Sequence, residues 1–122
     1  MTAGPSPADG VSRFIADLEE EGLQPTRWGE AVRYMVVPAA GRYAGQQVET
    51  GVSAGELQGW PVVPPHWIHL RDEVNFTHTN TDATDCEPGW RRHSRDAGPW
   101  NMDREPILIW ISHVRGMLGL AA

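Results

Sequence analysis

Ala31–Ser53, AVRYMVVPAAGRYAGQQVETGVS, decides the fold class. Its opening run, AVRYMVV, is rich in β-branched and aromatic residues, which suit a pleated, half-buried surface. Successive side chains in a strand face opposite ways, so Val32, Tyr34 and Val36 share one face and Arg33 and Met35 the other. PAAG (38–41) reads as a turn. QVETGVS (47–53) then alternates again, with Val48, Thr50 and Val52 on one side. Two alternating runs joined by a turn predict an antiparallel hairpin buried on one face.

The flanks say what covers that face. Upstream, Val11, Phe14, Ile15 and Leu18 fall at i, i+3, i+4 and i+7, the apolar stripe of a helix. Ser6 and Pro7 fit its N-cap and first turn, and Gly22 its stop. Glu19, Glu20 and Glu21 crowd acid at the C-terminal end, against the helix dipole, so this helix depends on packing. Downstream, Trp60–Pro65 (WPVVPP) is an irregular entry to a third strand, HWIHL (66–70), because its prolines lack the ladder donor. Residues 71–104 are polar and rich in turn formers, and read as a long loop held down by Trp90 and Trp100. The chain closes with a helix that Asp103 caps and Pro106 begins, burying Ile107, Trp110, Ile111, Val114 and Leu118. The order is N-terminal helix, antiparallel β-meander, long ordered active-site loop, C-terminal helix. That is an α+β fold in a single domain spanning 1–122, with residues 1–6 a loose lead-in.

Charge removes several classes of function. All ten basic residues are arginine and none is lysine, against 16 acidic residues and a net charge of -6. A nucleic-acid binder needs a basic face, and a polybasic membrane protein a cationic cluster. No apolar run approaches the roughly 18 residues of a membrane span. MTAGPSPADG has neither the basic nor the apolar region of a secretory leader, so a cytoplasmic protein is expected. Cys86 is the single cysteine, which excludes an internal disulfide and a cysteine-only zinc site. His66 and His69 are three apart and would face opposite ways on a strand, while His78, Cys86 and His93 lack zinc spacing. Neither a metal nor a cofactor is expected. A phosphate-binding loop is absent too, and with it the lysine such a loop needs, so any ATP chemistry belongs to a partner.

Two nucleophiles stand in the polar stretch. Cys86 is a thiol that needs little activation, although Asp82, Asp85 and Glu87 near it would raise its pKa. Ser94 follows His93, but neighbours in a strand face apart, and only a turn would let them meet. Arg91, Arg92 and Arg95 make the segment electropositive, which suits a carboxylate-bearing tail or a developing oxyanion.

The ordered motifs resemble a ubiquitin-conjugating enzyme (UBC-like) domain over roughly residues 8–120. Tyr43-x-Gly45 after the proline bend resembles the turn between that family's first strands. Trp60-Pro61-Val62-Val63-Pro64-Pro65 is similar to its Tyr-Pro-x-x-Pro-Pro signature. His78-Thr79-Asn80 stands where the family has His-Pro-Asn, with Cys86 six residues beyond Asn80. Trp100 matches the tryptophan before its next helix. Thr79 replaces the proline, and the family's later C-terminal helices have no counterpart. The chain resembles most the compact, diverged members of bacterial ubiquitin-conjugation-like operons. Some of those members replace the cysteine with a hydroxyl nucleophile.

The resemblance implies a carrier that accepts a ubiquitin-like protein from an activating enzyme as an ester on Cys86 or Ser94. It would then transfer that protein to an amine of a target. Asn80 would stabilise the oxyanion, with His78 and His93 organising the loop or carrying protons. Antiphage defence is the setting this implies. Two alternatives remain: a non-catalytic UBC-like module that only binds a ubiquitin-like protein or partner enzyme, and a small hydrolase using His93 and Ser94.

Overall fold

The computed structural model describes residues 9–77, 79–100 and 103–122. The elements are α1 (Gly10–Glu20), β1 (Thr26–Trp28), β2 (Ala31–Val36), β3 (Val48–Ser53), a 3-10 turn (Ala54–Leu57), β4 (Trp67–Arg71), β5 (Thr81–Asp82), β6 (Trp90–Ser94) and α2 (Pro106–Leu118). The strands form one antiparallel sheet in the order β1-β2-β3-β4-β6-β5. The α+β class and the two terminal helices agree with the sequence.

Alternation in β2 and β3 gives the sheet a buried face, and both helices cover it. Val32, Tyr34, Val36 and Val52 pack with Phe14 and Leu18 of α1 and with Ile107, Trp110, Val114 and Leu118 of α2. Trp110 is fully buried, and its Nε1 donates to the Tyr34 hydroxyl at 3.0 Å. Burial raises the Tyr34 pKa strongly, so that hydroxyl stays protonated. α1 ends as expected at Gly22, whose φ of 71° suits glycine. The N–H groups of Gly22 and Leu23 donate to the carbonyls of Glu19 and Leu18, the paired bonds of a Schellman stop. Ser6 and Pro7 lie outside the described residues. Glu105, not Asp103, precedes Pro106 at the N-cap of α2, and it makes no side-chain cap bond.

Trp60 pins the proline bend. It is fully buried, edge-on to Phe14 at 4.9 Å and to Trp100 at 5.7 Å, and its Nε1 donates to Asp17 at 3.0 Å.

The loop expected over 71–104 is corrected. β5 and β6 lie within it, and β6 pairs with β4 from Trp67↔Ser94 to Arg71↔Trp90. The sheet therefore has six strands rather than three. WRRHS hides its alternation because its open face carries Trp90, Arg92 and Ser94, and its core face carries a histidine. β1 was missed as well, because all three of its residues are exposed.

His93 makes the fold acid-sensitive. It is 1% exposed, and burial, with the charges of Arg91 and His69, lowers it from 6.5 to about 4. The native state keeps this imidazole neutral where the unfolded chain would take a proton. Its contribution is whole above pH 6.5 and is lost as pH falls toward 4, by at most about 3 kcal/mol. Denaturant midpoints measured from pH 7 to 4 should fall more steeply for the wild type than for His93→Gln.

Candidate active site

The face of the sheet away from the helices carries Arg33, Gly51, Trp67, His69, Arg71, Trp90 and Arg92 by alternation. The segment between β5 and β6 arches over it, and short-range turn chemistry shapes that arch. Asp82 accepts the Thr84 N–H at 2.9 Å. The Cys86 N–H donates to the Ala83 carbonyl at 3.1 Å, closing a turn with Asp85 at φ 58°. Glu87-Pro88-Gly89-Trp90 closes a second, with Gly89 at φ 91°, as a turn with proline second and glycine third requires. Cys86 sits where the two turns meet.

Arginines of the open face hold the arch down. Arg92 pairs with Asp82 at 2.6 Å and lies 3.9 Å from Asp85, with its guanidinium stacked 3.9 Å above Trp67. Arg92 holds Asp82 down at about 2. Arg33, between the rings of Trp28 and Trp90, reaches Glu87 at 3.3 Å.

Beneath the arch lies a cleft of about 150 Å³, walled by Trp28, Arg33 and Trp90, with His69 and Cys86 inside it. Cys86 Sγ is 3.5 Å from His69 Nδ1. On the far side of that ring, Nε2 is 3.8 Å from Glu56 Oε2, an ion-pair distance. Both of those atoms are buried and have no hydrogen-bond partner. Glu56 is fixed through its other oxygen, which accepts the N–H groups of His66 at 3.1 Å and Trp67 at 3.0 Å. Cysteine, histidine and carboxylate thus stand in line. With the thiol donating to Nδ1, the ring's proton lies on Nε2, facing the carboxylate.

Burial pushes the Cys86 thiol up to about 11; Arg92 pulls it down, while Asp82, Asp85 and Asp72 add to the rise. At neutral pH the resting sulfur is protonated, so its reactivity depends on the adjacent base. Asp85→Asn tests this electrostatic reading. Asparagine tolerates the left-handed backbone as well as aspartate does, and the exchange removes a negative charge beside the sulfur. A lower thiol pKa and faster alkylation by iodoacetamide at pH 8 are expected. Arg92→Ala should shift both the other way.

The structure separates the other expected site residues. Asn80 is exposed on the far side of β6, where its carbonyl accepts the Ser94 N–H at 2.9 Å. The register continues from Thr81↔His93 and sets Asn80 opposite Ser94, not beside Cys86. Ser94 does have a histidine, but it is His66, with Nε2 at 2.5 Å from Oγ. His93 turns into the core, bonded to Thr81 Oγ1 at 2.9 Å and edge-on to Phe76, so it does not pair with Ser94, as strand alternation implies. His78 lies outside the described residues.

Sequence reasoning missed His69, Glu56 and His66 as partners of the nucleophiles. His66 lies just before β4 and His69 within it, and His66 meets Ser94 while His69 meets Cys86. Among the described residues, no group of three or more His, Cys, Asp or Glu side chains is placed to hold a metal ion. Among them, too, no helix is long and apolar enough to cross a membrane. Comparison with protein-family models, curated proteins and solved structures found no match.

Proposed function

We propose that this chain is an acyl-transfer enzyme that carries its acyl group as a thioester on Cys86. Following the motif series, the acyl group is the C-terminus of a ubiquitin-like protein handed over by an activating enzyme, and the final acceptor is a target amine. On this reading the sheet and helices are a compact UBC-like domain without a cofactor, working in the cytoplasm. The observation that carries the proposal is the line Cys86–His69–Glu56 opening into a cleft.

His69 Nδ1 takes the thiol proton as Sγ attacks the donor's carbonyl, and Glu56 stabilises the imidazolium that results. The donor's leaving group takes that proton, so the site is loaded with His69 neutral. The incoming amine then attacks, His69 accepts its proton, and the sulfur leaves and recovers a proton. The carboxylates near Cys86, Asp85 and Glu87 among them, suit an amine that arrives cationic and gives one proton to solvent before it attacks.

Ser94 supports a second reading. His66 is bonded to its hydroxyl, and Asn80 lies opposite it. A loading reaction with activating enzyme, ATP and carrier separates the two. An adduct released by excess thiol places the acyl group on Cys86. A thiol-stable, base-labile adduct places it on Ser94. Absence of any adduct leaves the non-catalytic binding module.

A further inference from the structure

We infer that the Cys86 centre also hydrolyses acyl thioesters and activated carboxylic esters, with water as the acceptor. This rests on the thioester at Cys86 proposed above and gives it a second fate.

In the transfer proposed above His69 takes the proton of an attacking amine, and the same base can take one from water. Here the base stays in place. His69 is 3% exposed, held between the sulfur at 3.5 Å and the Glu56 carboxylate at 3.8 Å. Acylation removes the thiol proton, and Nδ1 is then free to accept one from whatever reaches the carbonyl carbon. The cleft, about 150 Å³, has room for water beside the sulfur and the ring. Gly51 forms part of its lining; a Cβ there would stand 3.3 Å from the His69 Cβ and 3.5 Å from the Trp90 ring. Glycine thus keeps open the space beside the base. A nucleophile and a base lining one cleft, with an orienting acid behind the base, are the parts of a cysteine hydrolase.

The step balances without a further reactant. Water attacks the thioester carbonyl and gives one proton to His69 Nδ1. The C–S bond breaks, the carboxylic acid leaves, and the sulfur takes the proton back from His69. The high proton affinity of the buried thiol favours that return.

The test uses the purified chain and p-nitrophenyl acetate in phosphate buffer, which contains no amine. p-Nitrophenolate release is followed beside intact mass. The expected result is release that continues past one equivalent per chain. It should disappear in Cys86→Ala and slow by about 10²- to 10⁴-fold in His69→Gln. Glu56→Gln keeps the ring in place and should slow it less, and thermal melting verifies that each variant is folded. Release that stops at one equivalent, with acetyl retained on Cys86, overturns hydrolysis and leaves the carrier reading standing. Release that persists in Cys86→Ala, or release no faster than in buffer alone, overturns both.

Discussion

His69→Gln is expected to slow acylation of Cys86 by about 10²- to 10⁴-fold, the usual contribution of a positioned general base. The effect is large because the thiol starts from a poor position. Burial and three nearby carboxylates oppose its ionisation, and Arg92 opposes them only in part. Without the imidazole, attack must draw on a very small thiolate fraction. Glutamine approximates the ring's bulk, so β4 and the cleft should survive. Cys86→Ala should abolish the adduct altogether, and Glu56→Gln should slow loading less than His69→Gln does, since Glu56 orients the base without touching the sulfur. Quenched loading reactions at fixed donor concentration measure all three.

Trp110→Ala should bring the largest loss of stability, about 3–5 kcal/mol from truncating a fully buried indole. A further 1–3 kcal/mol or so arises because the Tyr34 hydroxyl loses its 3.0 Å donor and stays buried. Small domains hold only about 5–15 kcal/mol in total, so this variant sits at the edge of folding. Trp110→Phe keeps most of the volume and loses the hydrogen bond, so its cost should be nearer the smaller figure. Urea midpoints compare the two, and a Trp110→Ala chain as stable as the wild type would contradict the packing of α2 on β2.

These two predictions draw on different kinds of information. Trp110 and Tyr34 could be placed from the sequence, since helical and strand periodicities put both on buried faces. The elements α1, β2, β3, β4 and α2 were legible for the same reason. β6 was not: its apolar signal is confined to Trp90, and its two adjacent arginines read as loop. Hydrogen bonding to the free edge of β4 overrides that local polarity. The pairing of His69 with Cys86 was illegible because it depends on two choices far apart in the chain. Strand register sets His69 on the open face, and two consecutive tight turns bring Cys86 back over it. Glu56 belongs to a third segment, the 3-10 turn before β4. The cysteine was therefore readable from sequence, while the histidine and glutamate that stand in line with it were not.

The absence of lysine now joins that geometry. All ten basic side chains are guanidinium groups, and Arg92 lies beside the cysteine arch. Arginine does not give up its proton near neutrality, so under the proposed function it would anchor the arch without competing for the acyl group. A lysine there would be a candidate acceptor next to the thioester. A genome that favours arginine codons would produce the same composition.

Mass spectrometry of peptides from the loaded protein tests the central claim most directly. After reaction with an activating enzyme, ATP and a ubiquitin-like carrier, digestion at low pH preserves either ester. Cys86 as acyl nucleophile requires the carrier's C-terminal remnant on the peptide containing Cys86, much diminished in His69→Gln. A remnant on Ser94, or on no residue of this chain, would contradict it.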